Sequence, residues 1–157
     1  MEKKIRGGAL IARALKDKGI NKVFTLSGGF CNPAIEGFME CQIDVVNCPH
    51  EQIAGHLADG HTRITRKPSV CLVGPEGFAN AVPSMMEAWG ERTPIIYITG
   101  SSSLKRQGSG ALKKLMMFQL LLLLQNIVQA LQMEQELENL LIKHTELQQM
   151  DTLELFI

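Results

Sequence analysis

The feature that most constrains the fold is a repeat of short apolar strand, turn and helix along most of the chain. The apolar, β-branched segments lie at residues 21–26, 43–48, 69–73 and 94–99. Segments of this kind, separated by helical sequence, are typical of the buried strands of a parallel sheet with right-handed crossovers. The sequence therefore predicts an α/β fold, a doubly wound parallel sheet with helices on both faces.

Unusual residues follow each predicted strand. The four strands lead into Ser27-Gly28-Gly29, His50-Glu51, Gly74-Pro75-Glu76-Gly77 and Gly100, in that order. Ligands of open α/β sheets bind at the carboxyl ends of the strands. The glycine loops match neither the dinucleotide fingerprint nor the P-loop, and tight turns explain them without a ligand. They are therefore weak signals taken singly.

Glu51 allows two interpretations. It stands where the second strand gives way to a helix of small residues that includes Ala54, Gly55 and Ala58. In the simpler interpretation it is a first-turn acid favoured by the helix dipole, which stabilises by less than about 1 kcal/mol. In the other, its carboxylate faces a ligand at the strand end.

Three blocks in sequence order decide between these interpretations. They are VFTLSGG, HEQIAGHLADGHTR and GPEGFANAVPSMMEAWGERTPIIYITG. With this spacing, the chain from Gly7 to Leu112 resembles the pyrimidine-binding domain of thiamine-diphosphate enzymes, close to the acetolactate synthase and 2-oxoacid decarboxylase group. Two positions depart from the family pattern. Gly74-Pro75-Glu76-Gly77 replaces a Ser-Gly-Pro-Gly order, and Ser27 stands where proline is common.

The resemblance implies a role for Glu51 as the catalytic carboxylate, hydrogen-bonded to a ring nitrogen of the cofactor's aminopyrimidine. It also implies a set of cofactor-binding residues, with Asn80 expected to start a helix. That set is Ser27, Gly28, Gly29, Glu51, Gly77 and Asn80. The substrate would be a small-molecule 2-oxoacid.

The family binds the diphosphate through Mg²⁺ in a second domain with a Gly-Asp-Gly motif. The Asp-Gly pair of this sequence, Asp59-Gly60, follows an alanine inside a predicted helix. The resemblance thus implies half of a thiamine diphosphate site and no catalysis by this chain alone.

Composition excludes several other classes. Acidic and basic residues number 16 each, which leaves no electrostatic case for nucleic acid or a charged membrane surface. The four cysteines lack C-x-x-C spacing, which favours the reduced thiols of a cytoplasmic protein.

No metal site is predicted from the histidines. The spacing of His50, His56 and His61 does not give the i, i+4 pair of ligands, and no acid or cysteine at a suitable spacing completes a ligand set. The opening Met1–Arg6 leads straight into an amphipathic helix from Gly8 to Lys18, without a secretory signal.

The sequence changes character near residue 113. We predict an α/β domain over residues 1–112 and a leucine- and glutamine-rich helical segment over 113–157, where neither glycine nor proline interrupts the pattern. A transmembrane span is the weaker interpretation, because polar residues bound a short apolar run. Gln148–Phe156 resembles a family run expected directly after Ala111, so the intervening sequence has the character of an insertion.

Two function classes remain. The first is a subunit or fragment of a thiamine-diphosphate enzyme that needs a separate pyrophosphate-binding chain or domain. The second is a non-catalytic binding or oligomerisation module with the same fold. Both predict a homo-oligomer, a dimer or tetramer. The helix after Gly77 carries Val82, Met85, Met86 and Trp89, a patch of the kind that monomers avoid exposing.

Overall fold

The structure, a computed structural model, describes residues 6–100 and the strand at 153–156. Four helices alternate with four strands, and a fifth strand follows from the carboxyl-terminal part of the chain. The elements are α1 (Gly7–Asp17), β1 (Lys22–Thr25), α2 (Asn32–Glu40), β2 (Asp44–Asn47), α3 (Glu51–Thr65), β3 (Ser69–Val73), α4 (Pro75–Gly90), β4 (Ile95–Gly100) and β5 (Leu153–Phe156). The strand order in the sheet is β2-β1-β3-β4-β5.

The first four strands are parallel, as the sequence predicts. Val23 pairs with Val45 on one side and Val70 on the other, and Val70 pairs with Ile96. Each observed strand lies within one residue of its predicted bounds at either end. The predicted doubly wound α/β fold is therefore confirmed.

The first face of the sheet is covered by α1 and α2. Alternate strand residues point toward these helices, as the period of a strand requires. The core here consists of Ile11, Ala12, Leu15, Ile20, Val23, Cys31, Ala34, Phe38, Ile43, Val70, Leu72, Ile96 and Ile98. The two helices cross closely, because a Cβ atom added at Gly37 would lie 2.3 Å from the carbonyl oxygen of Gly8.

The second face is covered by α3 and α4. The intervening strand residues point this way and form a second core of Phe24, Cys48, Ala54, Ala58, Cys71, Val73, Phe78, Ala81, Met85, Ala88, Ile95 and Tyr97. At the helix crossing, Gly55 lies against the side chain of Ser84. The buried Tyr97 hydroxyl donates to Ser84 Oγ at 3.1 Å, and Ser84 Oγ donates to the carbonyl of Ala81 at 2.6 Å. This chain of hydrogen bonds joins α4 to the sheet beneath it.

The fifth strand is antiparallel, with Tyr97 opposite Phe156 and Gly100 opposite Leu153. The sequence predicts a helical segment over residues 113–157, and at residues 153–156 the structure has this strand in place of helix. An antiparallel edge strand on an otherwise parallel sheet is common in doubly wound folds. The long helix predicted between residues 113 and 149 lies outside the described residues. Within the described part of the chain, no helix is long and apolar enough to cross a membrane.

Candidate functional site

The carboxyl ends of the four parallel strands lie along one edge of the sheet, and the turns that follow them meet there. The backbone N–H of Ser27 donates to Asn47 Oδ1 at 3.1 Å, which links the turn after β1 to the last residue of β2. Thr99 Oγ1 donates to the carbonyl of Gly74 at 3.2 Å, which links the ends of β3 and β4. We call this set of turns the carboxyl edge.

Glu51 occupies the first position of α3 at this edge. The preceding His50 has extended backbone and caps the helix, because its Nδ1 accepts a hydrogen bond from the N–H of Gln52 at 3.1 Å. The helix therefore begins directly at Glu51, whose half-buried side chain lies at the amino end of α3. A negative charge is favoured at this position.

Two residues of α4 fix the position of the Glu51 side chain. Asn80 Nδ2 donates to Glu51 Oε2 at 3.1 Å. A Cβ atom added at Gly77 would lie 2.5 Å from Glu51 Cγ and 2.8 Å from Oε1, so the carboxylate group rests against the bare backbone of Gly77. The structure thus brings together Glu51, Gly77 and Asn80, three of the residues singled out from the sequence.

The other predicted residues lie in the connection between β1 and α2. Ser27, Gly28 and Gly29 are exposed, and a Cβ atom at either glycine would meet nothing within 4 Å. The carbonyl of Gly28 accepts from the N–H of Cys31 at 2.8 Å, which forms a turn before α2. Packing within the described residues therefore does not require glycine at positions 28 and 29.

The expectation that Asn80 starts a helix is wrong. The helix α4 begins at Pro75, with Gly74 as its cap, and Asn80 lies in its second turn. A proline at the first helical position needs no N–H partner and already has a helical φ, so it favours this earlier start. Gly77 is consequently a helical residue and not part of a turn.

The thiol nearest in sequence to the glycine turn is not a nucleophile. Burial raises the pKa of Cys31 to about 11, the backbone hydrogen bond involving Gly28 opposes this rise, and the charge of Glu51 adds to it. Burial also raises the pKa of Cys71, with smaller contributions from Cys48, Cys31 and Glu51. Both thiols are protonated at neutral pH, whereas a reactive cysteine requires the thiolate.

His56 and His61 lie on α3, away from its first residue. His61 Nδ1 is 2.9 Å from Ser69 Oγ, and its ring lies 5.6 Å from that of Phe24. His56 is exposed. Within the described ranges, no group of three or more His, Cys, Asp and Glu side chains could hold a metal ion.

A surface cavity of about 360 Å³ lies at the opposite edge of the sheet, by the amino ends of β1 and β3. It is lined by Gly19, Ile20, Asn21, Lys22, His61, Thr65, Lys67 and Pro68. None of the residues predicted to bind a cofactor lines it. The residues that the sequence singles out for the cofactor therefore lie at the carboxyl edge, away from this cavity.

Comparisons with known proteins identify the kind of domain that this chain forms. Residues 5–122 match the family model for the N-terminal TPP binding domain of thiamine pyrophosphate enzymes. A probable acetolactate synthase of Mycobacterium bovis is 36% identical over 112 residues, which cover 71% of this chain and 20% of that protein. A 2-hydroxyacyl-CoA lyase 2 of Danio rerio is 33% identical over 109 residues, which cover 68% of this chain and 17% of that protein.

A solved structure supports the fold. It is that of a thiamin diphosphate-dependent enzyme from Mycobacterium smegmatis, which matches with a TM-score of 0.63 at 24% identity. The match covers 71% of this chain and 22% of that one. The matched region is thus about a fifth of the length of the curated relatives. The chain belongs to the thiamine pyrophosphate enzyme family and corresponds to its N-terminal TPP binding domain.

Proposed function

We propose that this chain supplies the pyrimidine-binding side of a thiamine diphosphate site in a 2-oxoacid decarboxylase or carboligase of the acetolactate synthase type. A separate pyrophosphate-binding domain, with Mg²⁺, would complete the site. The observation that carries the proposal is the placement of Glu51. Its carboxylate begins α3 at the carboxyl edge, held by Asn80 and resting on Gly77.

The residues present fit an aminopyrimidine ring. Within residues 6–100, Glu51 Oε2 has a hydrogen-bond donor, Asn80, whereas no donor is described for Oε1. A ring N–H could therefore donate to Oε1 without displacing an existing partner. Gly28 and Gly29 leave open space on the same edge, and a planar ring can approach such backbone closely.

The roles of the residues follow from this fit. When bound, thiamine diphosphate supplies the electron sink for decarboxylating a 2-oxoacid. Glu51 would accept a hydrogen bond from a ring nitrogen and hold the proton there, and the start of α3 favours its negative charge. Ser27, Gly28, Gly29 and Gly77 would line the ring with backbone, and Asn80 would hold Glu51 beside it. This chain would therefore orient the ring and exchange one proton.

The proposal includes an oligomer or a partner chain. Met86 and Trp89 of α4 are 43% and 46% exposed, and Ile53 and Leu57 of the adjacent α3 are 42% and 44% exposed. Apolar side chains on two packed helices form a patch that association would bury. A pairing of two copies, or of this chain with a pyrophosphate-binding domain, would use this face.

The test replaces Glu51 with glutamine in a complex reconstituted with a chain that carries the Gly-Asp-Gly domain. Glutamine keeps the size of the side chain but removes the anionic acceptor. We expect turnover of a 2-oxoacid to fall by about 10²- to 10⁴-fold, the range for an acid–base group. The free energy of unfolding should change by about 1 kcal/mol or less, the effect of one charge in a first helical turn.

Glu40→Gln is the matched control, because it makes the same chemical change at an exposed residue of α2 that pairs with Arg6 on the surface. Its turnover should equal that of the wild type. A Glu51→Gln complex with wild-type turnover would refute the proposed role of Glu51. If no Gly-Asp-Gly partner restores turnover to the wild-type chain, the non-catalytic module becomes the better description.

A further inference from the structure

The contact between Asn80 and Glu51 joins residues of two different helices and divides the carboxylate into two unlike oxygens. Oε2 accepts from Asn80 Nδ2 at 3.1 Å. Oε1 lies over Gly77, where a Cβ atom would approach it to 2.8 Å. One oxygen is therefore engaged by the protein, and the other faces a place where the chain has no side chain.

This arrangement restricts how the carboxylate can turn. Rotation about the last side-chain bond of Glu51 would break the hydrogen bond to Asn80, and movement of the side chain toward α4 is blocked by the backbone of Gly77. An amide donor to a carboxylate makes a charge-assisted hydrogen bond, which is stronger than a neutral one. Asn80 itself is exposed and on the helix surface, so the core does not need it.

We propose that Asn80 is a positioning residue that acts through Glu51, holding Oε2 so that Oε1 is the oxygen presented to the ligand. The inference rests on the proposed function of Glu51 and assigns Asn80 no direct role on the cofactor. A group held in productive geometry before binding spares the complex the cost of ordering it. Loss of Asn80 should therefore lower kcat more than it raises KM.

The experiment is a double-mutant cycle of Asn80→Ala and Glu51→Gln in the reconstituted complex, with kcat and KM for a 2-oxoacid as readouts. We expect Asn80→Ala alone to lower kcat by about tenfold, the loss of one hydrogen bond to a charged group. The double variant should be no slower than Glu51→Gln alone, because residues that act through one another are not additive. Asn80→Gln, which retains the amide donor, should recover part of the lost kcat.

The outcomes separate this inference from the proposed function. Losses that multiply in the double variant would show that Asn80 acts on cofactor or substrate directly, which would overturn the inference and leave the role of Glu51 intact. Full activity of Glu51→Gln would overturn both. Wild-type activity of Asn80→Ala would overturn the inference alone.

A second readout needs no turnover. In the free wild-type chain, the side-chain amide proton of Asn80 that bonds to Glu51 should resonate downfield and exchange slowly with water. Glu51→Gln should move that signal, whereas Glu40→Gln should leave it in place. An Asn80 amide signal that is insensitive to Glu51→Gln would show that the hydrogen bond is not formed, and the inference would fail whatever the kinetics.

Discussion

The two faces of the sheet are each closed by a pair of helices that approach at glycines, yet the glycines meet different neighbours. On the α1/α2 face, Gly8 and Gly37 lie against main-chain atoms, Pro33 for the first and Gly8 for the second. On the α3/α4 face, Gly55 lies against the side chain of Ser84, and Gly77 lies against that of Glu51. The glycines between α1 and α2 therefore contact backbone atoms, whereas those between α3 and α4 contact side-chain atoms.

Because of this difference, the α1/α2 face is the more rigid of the two, and the α3/α4 face is the one suited to hold a functional site. Main-chain atoms within a helix cannot move aside without moving the whole helix, so the α1/α2 face has one geometry. A side chain can change rotamer, so the α3/α4 face can hold a reacting group and still respond to a ligand. Glu51 and Asn80 both belong to this second face. Adding one methyl group to a glycine of either face, and ionising one thiol beneath the α1/α2 face, test this contrast.

The largest effect should come from Gly37→Ala. Its Cβ atom would lie 2.3 Å from the carbonyl oxygen of Gly8 and 2.8 Å from the nitrogen of Ala9. Because both neighbours are helical backbone, α1 and α2 must separate. We expect a loss of at least about 3 kcal/mol in the free energy of unfolding, the upper range for overpacking. Urea denaturation measures this, and an unchanged midpoint would contradict the close crossing of α1 and α2.

The next effect concerns a thiol beneath the α1/α2 face and depends on pH. The pKa of Cys31 rises from 9.0 to about 11 on folding, mainly through burial. Below pH 9 the thiol is protonated whether the chain is folded or not. The buried neutral thiol then makes its full contribution to the free energy of unfolding. As pH rises toward 11 the unfolded chain loses this proton first, and the contribution falls by on the order of 2 kcal/mol.

The measurement compares wild type with Cys31→Ala by urea denaturation at several pH values, so that the titration of other groups cancels. The stability advantage of the wild type should shrink between pH 9 and 11. A difference that stays constant over that range would show that Cys31 is not shielded from water.

Pattern and resemblance predict the sheet well and the contacts of the site poorly. The strands can be predicted because each is a short, continuous apolar run. Glu51 can be singled out because it closely follows such a run. The contact of Glu51 with Asn80 spans 29 residues of sequence and depends on how α3 crosses α4. Periodicity carries no such information. The early start of α4 was missed because Gly74-Pro75-Glu76-Gly77 contains turn residues, although proline also suits the first position of a helix.

The strand β5 was missed for a different reason. Leu153–Phe156 has the alternation of an edge strand, but it is short and follows a long stretch of helix-forming sequence. Its pairing with β4 is long-range, so local propensity cannot identify it. The predicted boundary at residue 112 lies outside the described residues and stays a prediction, as do the roles of the site residues.

Gly77→Ala, on the α3/α4 face, should lower turnover without destabilising the fold, in contrast to Gly37→Ala. The new Cβ atom would lie 2.5 Å from Glu51 Cγ, and the flexible side chain can move away. We expect about a tenfold loss of turnover in the reconstituted complex, since small displacements of a reacting group reduce rates by this much or more. Stability should be unchanged or slightly raised, because alanine is the better helix former. A large loss of stability would show that this site is as rigid as the α1/α2 crossing.

The smallest effect should come from Gly60→Ala, which is also the control for the others. Gly60 lies inside α3, on the same helix as Glu51, and a Cβ atom there would meet nothing within 4 Å. Replacing glycine with alanine in an open helical position reduces the entropy of the unfolded chain and favours the helix. We expect a gain of about 1 kcal/mol in the free energy of unfolding, with turnover of the complex unchanged. A loss of unfolding free energy at Gly60 comparable to that at Gly37 would mean that replacing any glycine of this fold is destabilising. The difference between the two faces would then not depend on what each glycine contacts.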